Sequence, residues 1–116
     1  MQTNVKIAGT TFHPLPEGKF LKVGSTYTFE DVPCADTDAV LIPEPDNQYD
    51  PNAVKVVVPL DSGEAFHVGY IPKDHPLKMM VKNAGRPVKA SVMVKNYAMK
   101  NQQYSASWII TGVFNL

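Results

Sequence analysis

Apolar and polar residues alternate through most of the chain, which is the pattern of β-strands that bury one face. The clearest example covers residues 53–58, where Val54, Val56 and Val58 fall on the same face. The segments 88–94 and 104–110 repeat the period of two over a greater length. Shorter β-prone segments occupy residues 5–7, 20–23, 27–29, 39–42 and 66–71. The pattern therefore predicts a protein built mainly of strands.

Turn-forming residues separate these segments. Residues 60–64 predict a hairpin turn with Gly63 available for a positive φ, and residues 96–103 predict the loop of a second, longer hairpin. Residues 31–38 are polar and contain a proline, and they are interpreted as an irregular connection. Gly69 interrupts a strand, which indicates a bulge or a close approach of another backbone.

One segment has the period of a helix instead. At about residues 75–84 the apolar positions recur at intervals of three and four, and the predicted buried face consists of Leu77, Met80, Val81 and Ala84. Asp74 is predicted as the N-cap and Gly85 as the end of this helix. Lys78 and Lys82 are predicted on its solvent face.

These elements predict a mainly β fold, a small β-barrel of about six strands with one short helix, because closure protects so many short strands from edge pairing. The chain has 116 residues, enough for one modest core, and a single domain over residues 1–116 is expected. No segment approaches the roughly 20 apolar residues that span a bilayer, and the N-terminus has no apolar signal region. A cytoplasmic protein without a membrane partner is predicted.

The formal net charge is zero, but the charges are segregated along the chain. Residues 73–100 carry seven lysines and arginines against Asp74 alone, whereas the first 72 residues carry ten acids and four lysines. A solvated lysine surface that aids solubility explains this segregation. A surface that binds phosphates explains it as well, and the charges alone do not separate the two.

Cysteine and histidine give no catalytic or metal motif. Cys34 is the single cysteine and has no visible activating base beside it, so a structural role is expected. His13, His67 and His75 are widely spaced and lie near no second cysteine, which argues against zinc. No catalytic residue, metal or cofactor is predicted, and nucleotide-binding glycine loops are absent from the sequence.

The most unusual segment is the turn between the strands at 39–42 and 53–58. Six turn-forming residues fall within eight positions, where one or two suffice to reverse a chain. They are Pro45, Asp46, Asn47, Asp50, Pro51 and Asn52. The excess of side-chain carbonyl and carboxylate groups, together with the aromatic ring of Tyr49, indicates that the loop has a function besides turning.

Three blocks of the sequence, in order, resemble the HIRAN domain. Glu44 to Val54, which cover the loop and the start of the following strand, and Val68 to Lys73 together resemble the signature of that family. Gly9 to Phe12, with a glycine shortly before an aromatic residue, resemble the family's first strand. HIRAN domains are OB-like or SH3-like small β-barrels, so the resemblance implies that fold and the binding of single-stranded DNA, in some members at a 3′ end.

The resemblance also implies the residues that would bind DNA. Phe12 and Tyr49 fall on the family's base-stacking positions, and Asp50 on the carboxylate that accepts a hydrogen bond from a terminal 3′-hydroxyl. Tyr70 and Lys73 match positions that line the groove and contact a phosphate. The remaining positions are Asn47, an amide beside the end nucleotide, and Tyr104, a further aromatic contact in a loosely aligned hairpin.

Some of these residues have structural roles as alternatives. Asp50 is equally suited to a turn bond with its own backbone, and Asn52 is expected to shape the loop. Trp108 and Phe114 are expected in the core. Thr11 replaces a basic residue of the end-binding members, which removes one phosphate contact, and the connection over residues 13–43 is long enough to add a strand or flap over the groove.

Three functions are weighed from these observations. The favoured one is a non-enzymatic module for DNA repair, replication or processing that binds single-stranded DNA or a DNA 3′ end, with a helicase or nuclease as the candidate partner protein. A protein-interaction adaptor on the same barrel is the alternative. A metal-dependent enzyme acting on nucleic-acid ends through Asp46 and Asp50 is the least favoured, because both residues already have turn duties.

Overall fold

The computed structural model describes residues 1–96 and 107–116. In this part of the chain seven antiparallel strands form one sheet, accompanied by a single α-helix and a short 3-10 turn at Thr10–Phe12. The strands are β1 (Gln2–Lys6), β2 (Thr26–Phe29), β3 (Val32–Pro43), β4 (Val54–Pro59), β5 (Ala65–Tyr70), β6 (Val88–Lys95) and β7 (Ser107–Phe114), and the helix is α1 (Pro76–Ala84). The prediction of a mainly β fold is confirmed.

The order of strands in the sheet is β1-β7-β6-β3-β4-β5, and β2 pairs with β3 beside this path. β3 organises the sheet because it is long enough to pair with β6 along one edge and with β2 and β4 in succession along the other. The predicted irregular connection at 31–38 is therefore wrong. Its polar residues lie in β3, and a two-residue turn at Glu30 and Asp31, both with positive φ, leads into it from β2.

The two ends of the sheet meet at one bridge between Ala8 and Tyr70. The Ala8 amide donates to the Tyr70 carbonyl at 2.8 Å, and the Tyr70 amide donates to the Ala8 carbonyl at 2.9 Å. No longer ladder joins β1 to β5 among the described residues, so the sheet is curled and is not a closed barrel. The expected closure is thus reduced to a single contact.

Gly69 permits that contact. A Cβ at this position would lie 2.4 Å from the Ala8 carbonyl oxygen and 2.8 Å from Cγ2 of Ile7. The pairing of β4 with β5 also shifts register between Val56 and Val57, opposite the same stretch of β5. Both features predicted from the glycine, a bulge and a close backbone approach, are confirmed.

The inward faces of the strands meet in one core, in which Leu41, Val56, Val92 and Ile110 are fully buried. Trp108 is buried as predicted, but Phe114 is half exposed because it lies at the end of β7, so its predicted core position is wrong. Cys34 is buried and unpaired, which agrees with a structural role. Among the described residues no helix is long and apolar enough to cross a membrane.

Helix α1 occupies the predicted segment, but its buried face is rotated. Leu77 and Val81 are buried as expected, whereas Met80 is 42% exposed and Lys78 is only 6% exposed. The predicted positions of Lys78 and Met80 are therefore wrong, because an ion pair draws Lys78 inward and turns Met80 to solvent. The N-cap is also not Asp74: the Nδ1 atom of His75 accepts a hydrogen bond from the Leu77 amide at 3.1 Å.

Candidate nucleic-acid interface

The loop between β3 and β4 is held by its own polar side chains. The Oδ1 atom of Asn47 accepts hydrogen bonds from the amides of Tyr49 and Asp50, at 2.9 and 3.0 Å, and its Nδ2 atom donates to Oε1 of Glu44 at 3.1 Å. The Oδ1 atom of Asp50 accepts from the Asn52 amide at 2.9 Å. Much of the excess of turn-forming residues is thus explained by the geometry of the loop itself.

Beside this loop lies an open pocket of about 370 Å³. The loop, the end of β5 and helix α1 provide most of its wall, and its base is apolar where Ala8, Ala53 and Ile71 line it. The polar and aromatic residues that line it are Asn47, Tyr49, Asp50, Tyr70, Lys73 and Lys78. A pocket of this size is at the lower end of the range for small-ligand sites, about 300 to 1,000 Å³.

Five of the seven predicted site residues converge on this pocket. They are Asn47, Tyr49, Asp50, Tyr70 and Lys73. Phe12 does not line it but lies a few residues after Ala8, at the end of the 3-10 turn, with 83% of its surface exposed. Tyr104 lies outside the described residues.

The rings of Phe12 and Tyr49 are the most exposed large apolar groups in the described part of the chain, and Tyr49 is 97% exposed. Tyr49 is nevertheless held in position by its backbone, since its amide is bonded to Asn47. An exposed aromatic ring on an ordered loop offers a planar surface for stacking. No described residue between 13 and 43 lines the pocket, so this connection does not cover the pocket.

Lys78 is a residue of this site that sequence patterns missed. Its Nζ atom donates to Oδ2 of Asp50 from a buried position on α1. The pKa of Asp50 lies below its ordinary value, chiefly because Lys78 donates a hydrogen bond to the carboxylate. The hydrogen bond from the Asn52 amide and the positive charge of Lys73 lower it further, whereas burial acts in the opposite direction. The helical period predicted Lys78 on the solvent face, and no local pattern contains the ion pair with Asp50 that holds it inward.

Glu44 connects the loop to β5. Burial alone would raise the pKa of Glu44, but hydrogen bonds from Asn47 and Tyr70 and the charge of Lys55 outweigh it and lower the pKa. Burial raises the pKa of Tyr70, and its hydrogen bond with Glu44 adds to the effect. Tyr70 thus remains a neutral phenol at physiological pH, with its ring between the loop and the histidines of the neighbouring edge.

Two histidine rings contact each other beside Tyr70. The ring centroids of His13 and His67 are 4.2 Å apart, and those of His67 and Tyr70 are 4.8 Å apart. The Nε2 atom of His67 lies 3.0 Å from the Gly69 carbonyl, which fixes the proton on that nitrogen because a carbonyl only accepts. Burial and then the proximity of His13 lower the pKa of His67, against the opposing effects of Gly69 and Glu44.

This lowered pKa predicts acid sensitivity near pH 6. The unfolded chain, with a histidine pKa of about 6.5, takes up the proton before the folded chain does, so stability is complete above that pH and falls as the pH decreases below it. Wild-type protein is expected to have a lower Tm at pH 5.5 than at pH 7.5, and His67→Gln to lose less, since glutamine can still donate to the Gly69 carbonyl. An equal loss of Tm in the two proteins, measured by thermal denaturation, would contradict this prediction. Glu44 and Asp50, whose pKa values are lowered, affect stability only at lower pH and do not contribute to the difference.

No group of three or more histidine, cysteine, aspartate or glutamate side chains in the described ranges is arranged to hold a metal ion. Asp50, one of the two carboxylates considered for a metal, is instead occupied by Lys78 and the Asn52 amide. The polar lining of the pocket thus consists of two tyrosines, two lysines, an aspartate and an asparagine.

Comparison with protein families identifies the kind of domain that carries this pocket. The family model described as HIRAN domain matches residues 2–103, and the chain belongs to the HIRAN domain family. Members of this family are nucleic-acid-binding modules, and the domain is a binding domain rather than a catalytic one. The match therefore supports DNA binding by this chain. Neither the comparison with curated proteins nor the comparison with solved structures found a match.

Proposed function

We propose that this chain is a single binding domain that holds single-stranded DNA at a free 3′ end in the pocket beside the β3–β4 loop. The observation that carries the proposal is the convergence of Tyr49, Asp50 and Lys73, which the resemblance identified in two separate blocks of the sequence, on one open pocket of about 370 Å³. A site of that size suits one terminal nucleotide rather than a duplex.

Each group has a physical role in this proposal. The terminal base stacks on Tyr49, the preceding base stacks on Phe12 outside the pocket, and the apolar floor accepts the edges of the terminal base and sugar. The exposed ammonium of Lys73 contacts a phosphate. Asn47 holds the loop in shape, Tyr70 forms a side of the pocket, and Tyr104 remains a proposed further contact.

The ionised carboxylate of Asp50 gives the site its preference for a hydroxyl end. A carboxylate accepts a hydrogen bond from a hydroxyl and repels a terminal phosphate. Its lowered pKa keeps it ionised at neutral pH. Thr11 supplies no cation, so the proposed contact with the backbone is limited and the dependence of affinity on salt is shallow, with a slope of about −0.7 per phosphate contacted.

The proposal is tested by fluorescence anisotropy with labelled strands that differ only at the 3′ terminus. A strand with a free 3′-hydroxyl is expected to bind about tenfold more tightly than the same strand with a 3′-phosphate, because the hydrogen bond to a charged group is replaced by repulsion. A blunt duplex of the same sequence is the control for end accessibility. Equal affinity for both strands would contradict end capture, and no binding to any strand would contradict the function.

The cellular setting belongs to the same proposal. Capture of a free 3′ end suits a role in DNA repair, replication or processing, where a helicase or nuclease generates such ends and is the class of partner protein proposed. A cytoplasmic location stays a prediction. Affinity for a protein that persists at high salt, without affinity for oligonucleotides, would favour an adaptor instead.

A further inference from the structure

Lys78 is an unusual residue for its position. It is 6% exposed, and the other buried polar or charged residue in the described part of the chain is Thr37. A buried ammonium without a partner is costly, and this one is paired with the carboxylate of Asp50. The pair lies in the wall of the pocket, since both residues line it.

The carboxylate retains capacity for a ligand. One oxygen of Asp50 accepts from the Asn52 amide and the other from Lys78. A carboxylate offers about four lone-pair positions, so about two remain after these bonds. The side chain of Asp50 is 35% exposed. A hydroxyl group in the pocket can therefore donate to Asp50 without displacing Lys78.

In the same arrangement the positive charge of Lys78 is neutralised by Asp50. The charged residues that line the pocket are Lys73, Lys78 and Asp50, of which Lys73 is exposed and Lys78 is neutralised by its partner. If the negative charge of Asp50 were removed, the ammonium of Lys78 would be left without a counter-ion at the wall of the pocket. An anionic ligand group would then be the favoured partner for it.

We propose that the Asp50–Lys78 pair determines which chemical terminus of a nucleic-acid strand the pocket accepts. While the carboxylate of Asp50 neutralises Lys78, the pocket binds a hydroxyl terminus. When that carboxylate is removed, the pocket binds a phosphate terminus. The inference rests on the proposed function and extends it, because it assigns to the buried lysine on α1 a latent anion site and the role of a specificity-determining residue.

The test measures binding of two strands of one sequence, ending in 3′-hydroxyl or 3′-phosphate, to a set of variants. Asp50→Asn keeps the shape of the side chain without its charge, and it is expected to reverse the preference so that the phosphate strand binds about tenfold more tightly. Adding Lys78→Met to this variant is expected to abolish the gain, and adding Lys78→Arg to retain it.

Lys78→Met alone moves the preference in the opposite direction. The carboxylate of Asp50 then faces the ligand without a counter-ion, so discrimination against the phosphate strand is expected to increase about tenfold while the hydroxyl strand changes less. The control is Lys82→Met, which removes an exposed lysine one turn further along the same helix and is expected to leave the preference unchanged. Circular dichroism establishes that each variant is folded.

The outcomes separate the two levels of the proposal. If wild-type protein binds neither strand, the proposed function fails. If wild-type protein prefers the hydroxyl strand, but Asp50→Asn does not gain affinity for phosphate and Lys78→Met weakens both strands equally, Lys78 has only a structural role and the inference is overturned. If one of the two single variants does not fold, the other variant still tests the inference, because each is expected to shift the preference between the two strands in a defined direction.

Discussion

Tyr49→Ala is expected to reduce affinity for single-stranded DNA by tenfold or more, which is the largest effect expected of any single aromatic residue in this site. Stacking of one base on an aromatic side chain contributes roughly 1 to 3 kcal/mol by alanine substitution. The ring of Tyr49 is 97% exposed, so its removal takes almost nothing from the core and the unfolding free energy should change little. Anisotropy titration with a labelled strand and thermal denaturation of the same samples measure the two quantities.

Two variants make the result specific to stacking at this site. Tyr49→Phe keeps the ring and is expected to retain most of the affinity, since stacking uses the ring face rather than the hydroxyl. Phe20→Ala removes another exposed aromatic residue, 43% exposed, that does not line the pocket. If Phe20→Ala reduced affinity as much as Tyr49→Ala, binding would be diffuse rather than located at the β3–β4 loop.

The second large effect is on stability. Gly69→Val is expected to lower the unfolding free energy by about 3 kcal/mol, at the upper end of the usual range for overpacking. The new Cβ would overlap the Ala8 carbonyl oxygen, at 2.4 Å, and force β5 away from the residues that follow β1. Because this contact is the described link between the two ends of the sheet, its loss should also make the ends separate more readily.

Chemical denaturation monitored by circular dichroism measures this change. The matched control is Gly24→Ala, where the nearest backbone atom to an added Cβ is the Asp36 carbonyl oxygen at an ordinary 3.8 Å. That substitution is expected to change stability by less than about 1 kcal/mol. A Gly69→Val protein as stable as the control would mean that β5 and Ala8 separate without cost.

Sequence periodicity predicted the sheet where the strands have one buried and one solvated face. Alternation located β4 and β6 because their inward residues are uniformly apolar, as at Val54, Val56 and Val58. It missed the first part of β3, in which Asp36 and Asp38 occupy outward positions and Thr37 an inward one. Thr37 is satisfied there by donating to the Lys22 carbonyl at 2.8 Å, a tertiary contact that a local pattern does not contain.

The family resemblance located most of the pocket, because the loop and the end of β5 each carry a recognisable short motif. It did not locate Lys78, whose role arises from a contact across 28 residues. It also did not show which side chains of the loop hold its backbone and which are exposed. Asn47 turns its carbonyl oxygen to the loop amides, whereas the outward side chain at the apex is the ring of Tyr49.

The hydrogen bonds within the β3–β4 loop have a consequence for the rate and entropy of binding. Asn47 and Asp50 already fix the backbone on both sides of Tyr49, so the loop is preorganised before a strand arrives. A ligand would then immobilise little more than the two side-chain torsions of each exposed ring, which limits the conformational entropy lost on association. Association should accordingly proceed without a slow conformational step, and differences in affinity among strands should arise chiefly from their dissociation rates.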